Sequence, residues 1–355
     1  MSTNYLPENK YFLYTLASLI VIIAGFIYAK ALLSQVLLAL FISMICAQPV
    51  KWLEKKKVPN AVAVVIVFVF IIGLFFGLSQ IIGSSLSSFT ENLPKYEKNI
   101  NDMTGSLIVF LQNRGINLSS EQMMQIVDPS KIITVTVDLL GKLGNVMGNA
   151  FTIFFMVLFL LLEIDSIPVK VNAIMKDKKS NRTASFITTI VKSIRHYLNI
   201  KTQVSLLTGI SIWIGLLILG VDYAIIWGLI AFLLNYIPNI GSIIAAIPAV
   251  LFALIQLGFG GALWTLGIYI TVNMVIGNVI EPKITSSGMG LSTFIVFLGL
   301  LFWGMILGTV GMFLSVPLTM TIKIITQQNP ETKWIAIFLG TQKEAEDILE
   351  EHTMT

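Results

Sequence analysis

Two long apolar segments of this chain share one pattern, in which a glycine-containing break is followed by a proline inside the apolar run. The first segment spans 232–255 and the second spans 302–325. The glycine precedes the proline by seven positions in one segment and by six in the other: Gly241 and Pro248, then Gly311 and Pro317. In hydrocarbon, backbone groups freed by a break are tolerated only where protein or a water-filled cavity satisfies them. Broken segments at corresponding places in two halves therefore predict a pathway through a membrane protein.

The composition is that of a membrane protein. Hydrophobic residues make up 55% of the 355 residues and charged residues only 12%, with a mean hydropathy of +0.85. A soluble domain carries about 25% charged residues. Several uncharged runs reach the roughly 20 residues that a helix needs to cross a bilayer. The predicted fold class is an all-α, polytopic transmembrane helical bundle of six to eight spans, with two broken or re-entrant segments and an extracytoplasmic helical cap.

Five apolar runs predict the first spans: Tyr11–Tyr28, Leu32–Val50, Asn60–Ile82, Asn145–Leu162 and Val204–Leu219. The later stretches 224–255 and 291–325 each exceed 30 residues, which is too long for one ordinary crossing at 1.5 Å per residue. They are predicted either as re-entrant hairpins that enter from opposite sides, with one full span at Ala262–Ile280 between them, or as kinked and tilted spans. The hairpins are favoured because each half is short.

Basic residues are distributed unequally among the loops. Four lysines follow the second span, and the segment from Asp165 to Thr202 holds eight basic residues against two acidic ones. The segment from Gly83 to Gly144 balances five basic residues against six acidic ones. An excess of Lys and Arg marks cytoplasmic loops. Both termini are therefore predicted in the cytoplasm, and the 83–144 segment outside.

The chain is accordingly predicted to have five parts. They are transmembrane scaffold helices (1–82), an extracytoplasmic helical segment (83–144), a fourth span with a basic cytoplasmic segment (145–202), a transporting part with both broken helices (203–328) and a cytoplasmic tail (329–355). Phenylalanines of the first spans, such as Phe70 and Phe76, suit contact with lipid or with sister subunits. The expected partners are membrane lipids, a small-molecule solute or monovalent cation, and further copies of the chain as a homo-oligomer.

Motifs in the last 125 residues carry a family resemblance. They are Asn235-Tyr-Ile-Pro-Asn-Ile-Gly241, Ala245-Ala-Ile-Pro248, Asn278-Val-Ile-Glu-Pro-Lys283, Gly288-Met-Gly-Leu291, the glycines Gly304, Gly308 and Gly311, and Ser315-Val-Pro317. With these motifs the chain resembles the autoinducer-2 exporter family of bacterial multi-helix transporters. The resemblance implies transport across the plasma membrane, either export of the furanone autoinducer-2 or exchange of sodium or lithium for protons. Ser292-Thr293 stands where a His-Pro pair is common in the family. Any role that this histidine has in the family therefore does not apply to this chain.

Neutral polar residues beside the breaks are the first candidates for a solute pathway. An unpaired amide in hydrocarbon costs several kcal/mol, so Asn235, Asn239 and Asn273 should face protein, water or a ligand. Hydrogen bonding between helices is the alternative for these amides. The predicted pathway also contains the prolines and glycines of the breaks: Pro238, Gly241, Pro248, Gly308, Gly311 and Pro317. Close helix packing is the alternative for the glycines, although Gly241 and Gly311 are expected to act as hinges.

Glu281 is the candidate coupling group. It closes the last full span beside Pro282 and Lys283, where a helix-end ion pair is the alternative interpretation. The sequence places no charged residue in the middle of a span, which favours a neutral solute over a cation. Only two histidines are present, and neither an HExxH nor a GxSxG motif occurs. No enzymatic activity, cofactor, metal site or nucleic-acid partner is expected, and a channel or structural membrane protein is the remaining alternative.

Overall fold

A computed structural model describes residues 8–114, 141, 150–163, 166, 169–170, 173, 181–238, 240–284 and 290–353. Within these ranges every regular element is helical. In chain order the helices are α1 (Glu8–Tyr28), α2 (Lys30–Lys55), α3 (Asn60–Glu91), α4 (Leu93–Gln112), α5 (Ala150–Glu163), α6 (Asn181–Leu219), α7 (Ala224–Leu234), α8 (Gly241–Val275), a π-helical turn (Ile276–Ile280), α9 (Glu281–Ile284), α10 (Thr293–Leu307), α11 (Thr309–Gln327), α12 (Lys333–Leu339) and α13 (Gln342–Thr353).

Five of the described helical stretches are long and apolar enough to cross a membrane. They are Lys30–Lys55, Asn60–Glu91, Thr188–Leu219, Gly241–Ile284 and Thr309–Gln327. The apolar helices α5, α7 and α10 are shorter. The prediction of an all-α polytopic membrane bundle is confirmed, and the number of spans stays a prediction.

Two helices extend beyond their predicted spans. Helix α3 continues nine residues past Ile82 to Glu91 and ends at Asn92, whose side-chain amide donates to Ser88 O at 2.8 Å. Helix α6 runs without a break from Asn181 to Leu219, so the part of the basic segment from residue 181 onward and the predicted fifth span form one helix. No proline interrupts this stretch, so no helix-breaking residue separates the basic part of the helix from the apolar part. The basic residues at its start are therefore helical residues and not loop residues.

The chain divides into two compact units. Unit 1 contains Met1–Ala47, Thr152–Arg195 and Met289–Thr355, and unit 2 contains Gln48–Phe151 and His196–Gly288. Each unit holds one of the two segments that were predicted to be broken.

In unit 2 the first broken segment is an antiparallel helical hairpin, hairpin A, formed by α7 and by α8 up to Leu257. The chain turns between Leu234, where α7 ends, and Gly241, where α8 begins. The rings of Trp227 and Phe252 lie 5.5 Å apart, and at the open end Gln256 bonds to Gly220 O at 3.0 Å and to the Asp222 amide at 2.7 Å. These pairs are symmetric about the turn, as an antiparallel pair of helices requires. The second arm ends at Gly258, whose positive φ of 74° breaks α8.

The second broken segment is hairpin B in unit 1, formed by α10, Gly308 and α11. The indole nitrogen of Trp303 donates to Thr319 Oγ1 at 3.2 Å, and Gly304 lies against Met312. The chain reverses at Gly308 with φ 68° and ψ −145°. Both segments thus form helical hairpins, and their re-entrant course in the membrane stays a prediction.

The backbone breaks do not coincide with the predicted hinge glycines. Hairpin B turns at Gly308, three residues before Gly311, which lies inside α11. A Cβ on Gly311 would lie 1.9 Å from Trp303 O, and one on Gly241 would lie 1.8 Å from Leu234 O. Neither glycine has a positive φ. Both positions therefore require glycine for the close approach of two arms, and the positive φ falls on Gly308 instead.

Helix α4 packs on the open end of hairpin A and accounts for the first part of the predicted outer cap. Asn99 donates to Ile255 O at 3.2 Å, and the Tyr96 hydroxyl donates to Asp222 Oδ2 at 3.0 Å. Burial first, and then the hydrogen bond with Tyr223 and the nearby carboxylate, raise the pKa of Tyr96, so that its hydroxyl stays a donor. The Asp222 carboxylate accepts this bond, and α7 begins after Tyr223 without a side-chain cap. The cap sequence 115–140 lies outside the described residues.

We expect Gly241→Ala and Gly311→Ala each to lower the free energy of unfolding by about 2 kcal/mol, because a methyl group there must separate the arms of a hairpin. Gly267→Ala and Gly25→Ala are the matched controls in units 2 and 1, since nothing lies within 4 Å of an added Cβ at either site. These controls should be neutral or slightly stabilising. Unfolding titrations of purified protein in mild detergent give the comparison, and equal effects at all four glycines would contradict it.

Candidate functional site

Helix α6 carries a row of buried polar side chains in unit 2. Tyr197, Lys201 and Ser205 follow one another at four-residue spacing and are only 6%, 6% and 0% exposed. Residues four apart lie on the same side of a helix. We call these three residues the polar face of α6. Its neighbours Ile200 and Val204 pack against Ile276 of the π-helical turn.

The centre of the polar face is an ion pair. Lys201 Nζ donates to Glu281 Oε1 at 2.9 Å, and the two side chains are 8% and 25% exposed. The π-helical turn directly precedes Glu281, and such turns are frequent at functional sites. An ammonium group removed from water needs a compensating charge, and the Glu281 carboxylate supplies it.

This pair differs from two expectations from the sequence. Lys201 was counted with the basic cytoplasmic segment, whereas it is buried, three residues before the predicted span Val204–Leu219 and within the candidate stretch Thr188–Leu219. A buried charge therefore lies beside that span, and the expectation that none lies in the middle of a span stays a prediction. The ion-pair alternative for Glu281 placed its partner at the helix end. The structure pairs Glu281 with Lys201, 80 residues away in the chain, while Lys283 is exposed.

The turn of hairpin A is hydrogen bonded to α6 beside the ion pair. The Asn235 amide nitrogen donates to Ser205 Oγ at 3.0 Å, and the Tyr236 hydroxyl donates to Thr202 Oγ1 at 2.8 Å. Thr202 in turn donates to Leu198 O at 2.7 Å. Every hydrogen-bonding side chain in this contact is a neutral amide or hydroxyl. Asn235 thus makes a hydrogen bond to α6, which is the alternative interpretation given for these amides, and its place in a solute pathway stays a prediction.

Paired glycines bring the first arm of hairpin A into near-backbone contact with α6. A Cβ on Gly209 would lie 2.8 Å from Gly228 O, and a Cβ on Gly228 would lie 2.8 Å from Gly209 O. Small residues at such crossings let two helix backbones approach closely. This crossing holds the hairpin at a fixed height along α6, which is what allows Asn235 and Tyr236 to reach their partners.

The remaining pathway candidates of unit 2 are distributed over the hairpin and the following helix. Pro238 lies in the turn, Gly241 begins α8, and Pro248 is buried within the second arm. Asn273 is half-buried on α8, one turn before the π-helical turn. Asn239 lies outside the described residues. The structure therefore brings Asn235 and Glu281 to the polar face of α6, and places Pro248 in the packing of the hairpin.

The candidates of unit 1 belong to hairpin B. Gly308 forms its turn, and Gly311 and Pro317 are buried in α11. Ser34 of α2 donates to Leu307 O at 3.2 Å, and the Lys30 side chain lies 2.9 Å from where a Cβ of Gly308 would be. A cation at the carboxyl end of α10 is favourable because the last carbonyls of a helix carry partial negative charge. The turn of hairpin B is thus held by α2.

The base of hairpin B is held by a second buried lysine. Lys323, 6% exposed, donates to Gly290 O and to Glu344 of α13. Ser292 caps α10 by accepting the Ile295 amide at 3.2 Å. A serine at this position satisfies the start of the helix by itself. The Ser-Thr pair that departs from the family pattern therefore has a structural role here.

Sequence reasoning missed Tyr197, Lys201 and Ser205 as site residues. Their spacing was a usable signal, because residues four apart lie on one face of a helix, although the first half of α6 carries other polar residues as well. The segment was assigned to the cytoplasm on account of its charge, and its amphipathic pattern was interpreted as a basic surface for the inner leaflet and not as a buried face. Among the described residues, no group of His, Cys, Asp or Glu is arranged to hold a metal ion.

The fold and the site define a class of protein. Broken helical segments that form hairpins inside an all-α membrane bundle are features of membrane transporters. The family model described as AI-2E family transporter matches residues 16–331. The chain belongs to this family and is a multi-pass membrane transporter, which confirms the resemblance drawn from its motifs.

Individual relatives agree with the family model. The AI-2 transport protein TqsA of Escherichia coli K12 is 40% identical over 325 residues, covering 92% of this chain and 94% of the relative. A putative transport protein of Haemophilus influenzae is 40% identical over 332 residues, covering 92% of this chain and 94% of the relative. The putative transport protein YhhT of E. coli K12 is 36% identical over 332 residues, covering 94% of this chain and 95% of the relative.

Proposed function

We propose that this transporter exports a small, polar, uncharged solute such as the quorum-sensing furanone autoinducer-2. The observation that carries the proposal is the contact between hairpin A and α6, where Asn235, Tyr236, Thr202 and Ser205 offer only neutral hydrogen-bonding groups. The one charged pair beside them is internally compensated. Such a surface matches hydroxyl and carbonyl groups and offers no net charge to an ion. The name of the E. coli relative TqsA supports the same solute.

In this proposal the turns of hairpins A and B are two gates that open alternately, as broken helices do in many transporters. At hairpin A, opening separates Asn235 and Tyr236 from α6 and releases their hydrogen bonds to the solute. Pro238 belongs to the moving turn, Gly241 begins the second arm, in which Pro248 packs, and Asn273 lies beyond the arm on α8. Asn239 is a pathway candidate from the sequence. At hairpin B, Gly308 supplies the hinge, while Gly311 and Pro317 shape the arm that follows.

Exchange of sodium or lithium for protons is the second candidate. A specific observation favours it, since Glu281 is a protonatable carboxylate beside a buried ammonium group. Protonation of Glu281 would break the ion pair and change the charge of the site. In that case Glu281 is the coupling group and the neutral hydrogen bonds serve only to position α6.

Transport by purified protein in liposomes separates the two candidates. We expect loaded vesicles to release radiolabelled furanone in a saturable manner that unlabelled furanone on the opposite side accelerates, because a carrier shows counterflow. Sodium-dependent proton movement, followed with a pH-sensitive dye, should stay at the level of empty liposomes. If proton exchange is observed, furanone efflux is absent, and Glu281→Gln abolishes the exchange, the antiporter function replaces the proposal.

We further propose that the protein lies in the bacterial plasma membrane with both termini in the cytoplasm, surrounded by lipid and by further copies of itself. The excess of basic residues on one side of the predicted topology supports this orientation. Exposed phenylalanines on α3, such as Phe70 at 68% and Phe76 at 63%, offer apolar surface for lipid or a sister subunit.

Cysteine labelling tests the orientation. Cys46 is the only cysteine and is buried, so background labelling should be low. In intact cells a membrane-impermeant maleimide should modify Ser106→Cys on the exposed surface of α4, and should modify Lys178→Cys only after permeabilisation. The reverse pattern would overturn the proposed topology.

A further inference from the structure

The polar face of α6 holds hydrogen-bonding capacity that the protein itself does not use. The Tyr197 hydroxyl is buried and has no hydrogen-bond partner within the described chain. Lys201 can donate three hydrogen bonds, and the one to Glu281 is its only one to a described residue. Glu281 bonds through Oε1, which leaves Oε2 without a partner in the same part of the chain. Buried polar groups are almost always satisfied, so this concentration of unused groups calls for a ligand.

These groups form one cluster. Tyr197 and Lys201 are neighbours on the polar face, one helical turn apart. Glu281 contacts Lys201 directly. Burial is graded across the cluster, since the Glu281 side chain is 25% exposed and that of Lys201 is 8% exposed. Glu281 is therefore the member of the cluster that a solute would meet first.

The donors and acceptors define the chemistry of the ligand. The cluster offers up to three donors, one hydroxyl and two ammonium N–H groups, and one strong acceptor, the second carboxylate oxygen. A free cation would meet the Lys201 ammonium, and an anion would meet the Glu281 carboxylate. A neutral molecule with several adjacent oxygen atoms and at least one hydroxyl group satisfies all of these groups without adding charge.

We propose that Tyr197, Lys201 and Glu281 form the binding site for a neutral solute that carries adjacent hydroxyl and carbonyl oxygens, such as a hydroxy-ketone or a vicinal diol. Tyr197 and Lys201 donate to its oxygen atoms, and Glu281 accepts from one of its hydroxyl groups. This inference rests on the proposed function and deepens it, because it names the contacting residues and the required oxygen pattern.

The test measures binding of the radiolabelled hydroxylated furanone to the full-length protein in detergent by equilibrium dialysis. The second probe is the same furanone with its hydroxyl groups replaced by hydrogen. The variant Tyr197→Phe removes one hydroxyl group only. The matched control is Tyr269→Phe, because the Tyr269 hydroxyl is equally buried and unpartnered, and lies in the apolar core around hairpin A.

We expect wild-type protein to bind the hydroxylated furanone at least about tenfold more tightly than the deoxy analogue, since a site built for hydroxyl groups is left unsatisfied without them. Tyr197→Phe should weaken binding of the hydroxylated furanone about tenfold and reduce the preference between the two probes. Tyr269→Phe should bind both probes as wild type does. Both variants should unfold at the same or a higher temperature, which excludes a folding defect as the cause.

Two results overturn the inference in different ways. If wild type and Tyr197→Phe bind the hydroxylated furanone equally, the site is wrong and the proposed export function stands. If the wild-type protein neither binds nor transports the furanone, both the site and the proposed function fail.

Discussion

The ion pair between Lys201 and Glu281 is the interaction on which the rest of unit 2 depends. An ammonium group on a helix suited to the membrane interior is costly unless an opposite charge accompanies it. Glu281 reaches Lys201 because the end of α8 packs along α6, where Ile276 of the π-helical turn contacts Ile200 and Val204. The pair keeps the site neutral overall while two charged groups remain available for hydrogen bonding. The same compensation explains how a lysine can stay buried on α6.

Hairpin A is attached at both of its ends, and the attachments differ in kind. At the open end, Gln256 and Tyr96 join the hairpin to its own flanking chain and to α4, within a cluster of aromatic rings around Phe252. At the turn, the side-chain hydrogen bonds of Asn235 and Tyr236 connect it to α6. Stacked rings are harder to separate than two neutral hydrogen bonds, which a polar solute can replace. Motion of the hairpin is therefore expected at the turn, with the open end as the fixed point.

The sequence was sufficient for features that depend on local pattern. Apolar length predicted the membrane helices, the short halves of 224–255 and 291–325 favoured the hairpins, and the motifs from Asn235 to Pro317 identified the family. Features that depend on distant contacts could not be predicted in this way. Glu281 pairs with a residue 80 positions away, and any of the basic residues nearby could have been its partner. Gly304, Gly308 and Gly311 are each compatible with a break, and only the backbone shows that Gly308 adopts the positive φ.

A double-mutant cycle at Lys201 and Glu281 tests the central claim most directly. Unfolding of Lys201→Met, Glu281→Gln and the double variant is followed in detergent, with the exposed pair Lys170 and Glu163 as the matched control. Each single substitution at the buried pair should lower the free energy of unfolding by about 3 kcal/mol, because it leaves one charge uncompensated. The double variant should lose less than the sum, with a coupling of about 1–3 kcal/mol, while the control pair shows no measurable coupling. Additive losses at Lys201 and Glu281 would contradict the account.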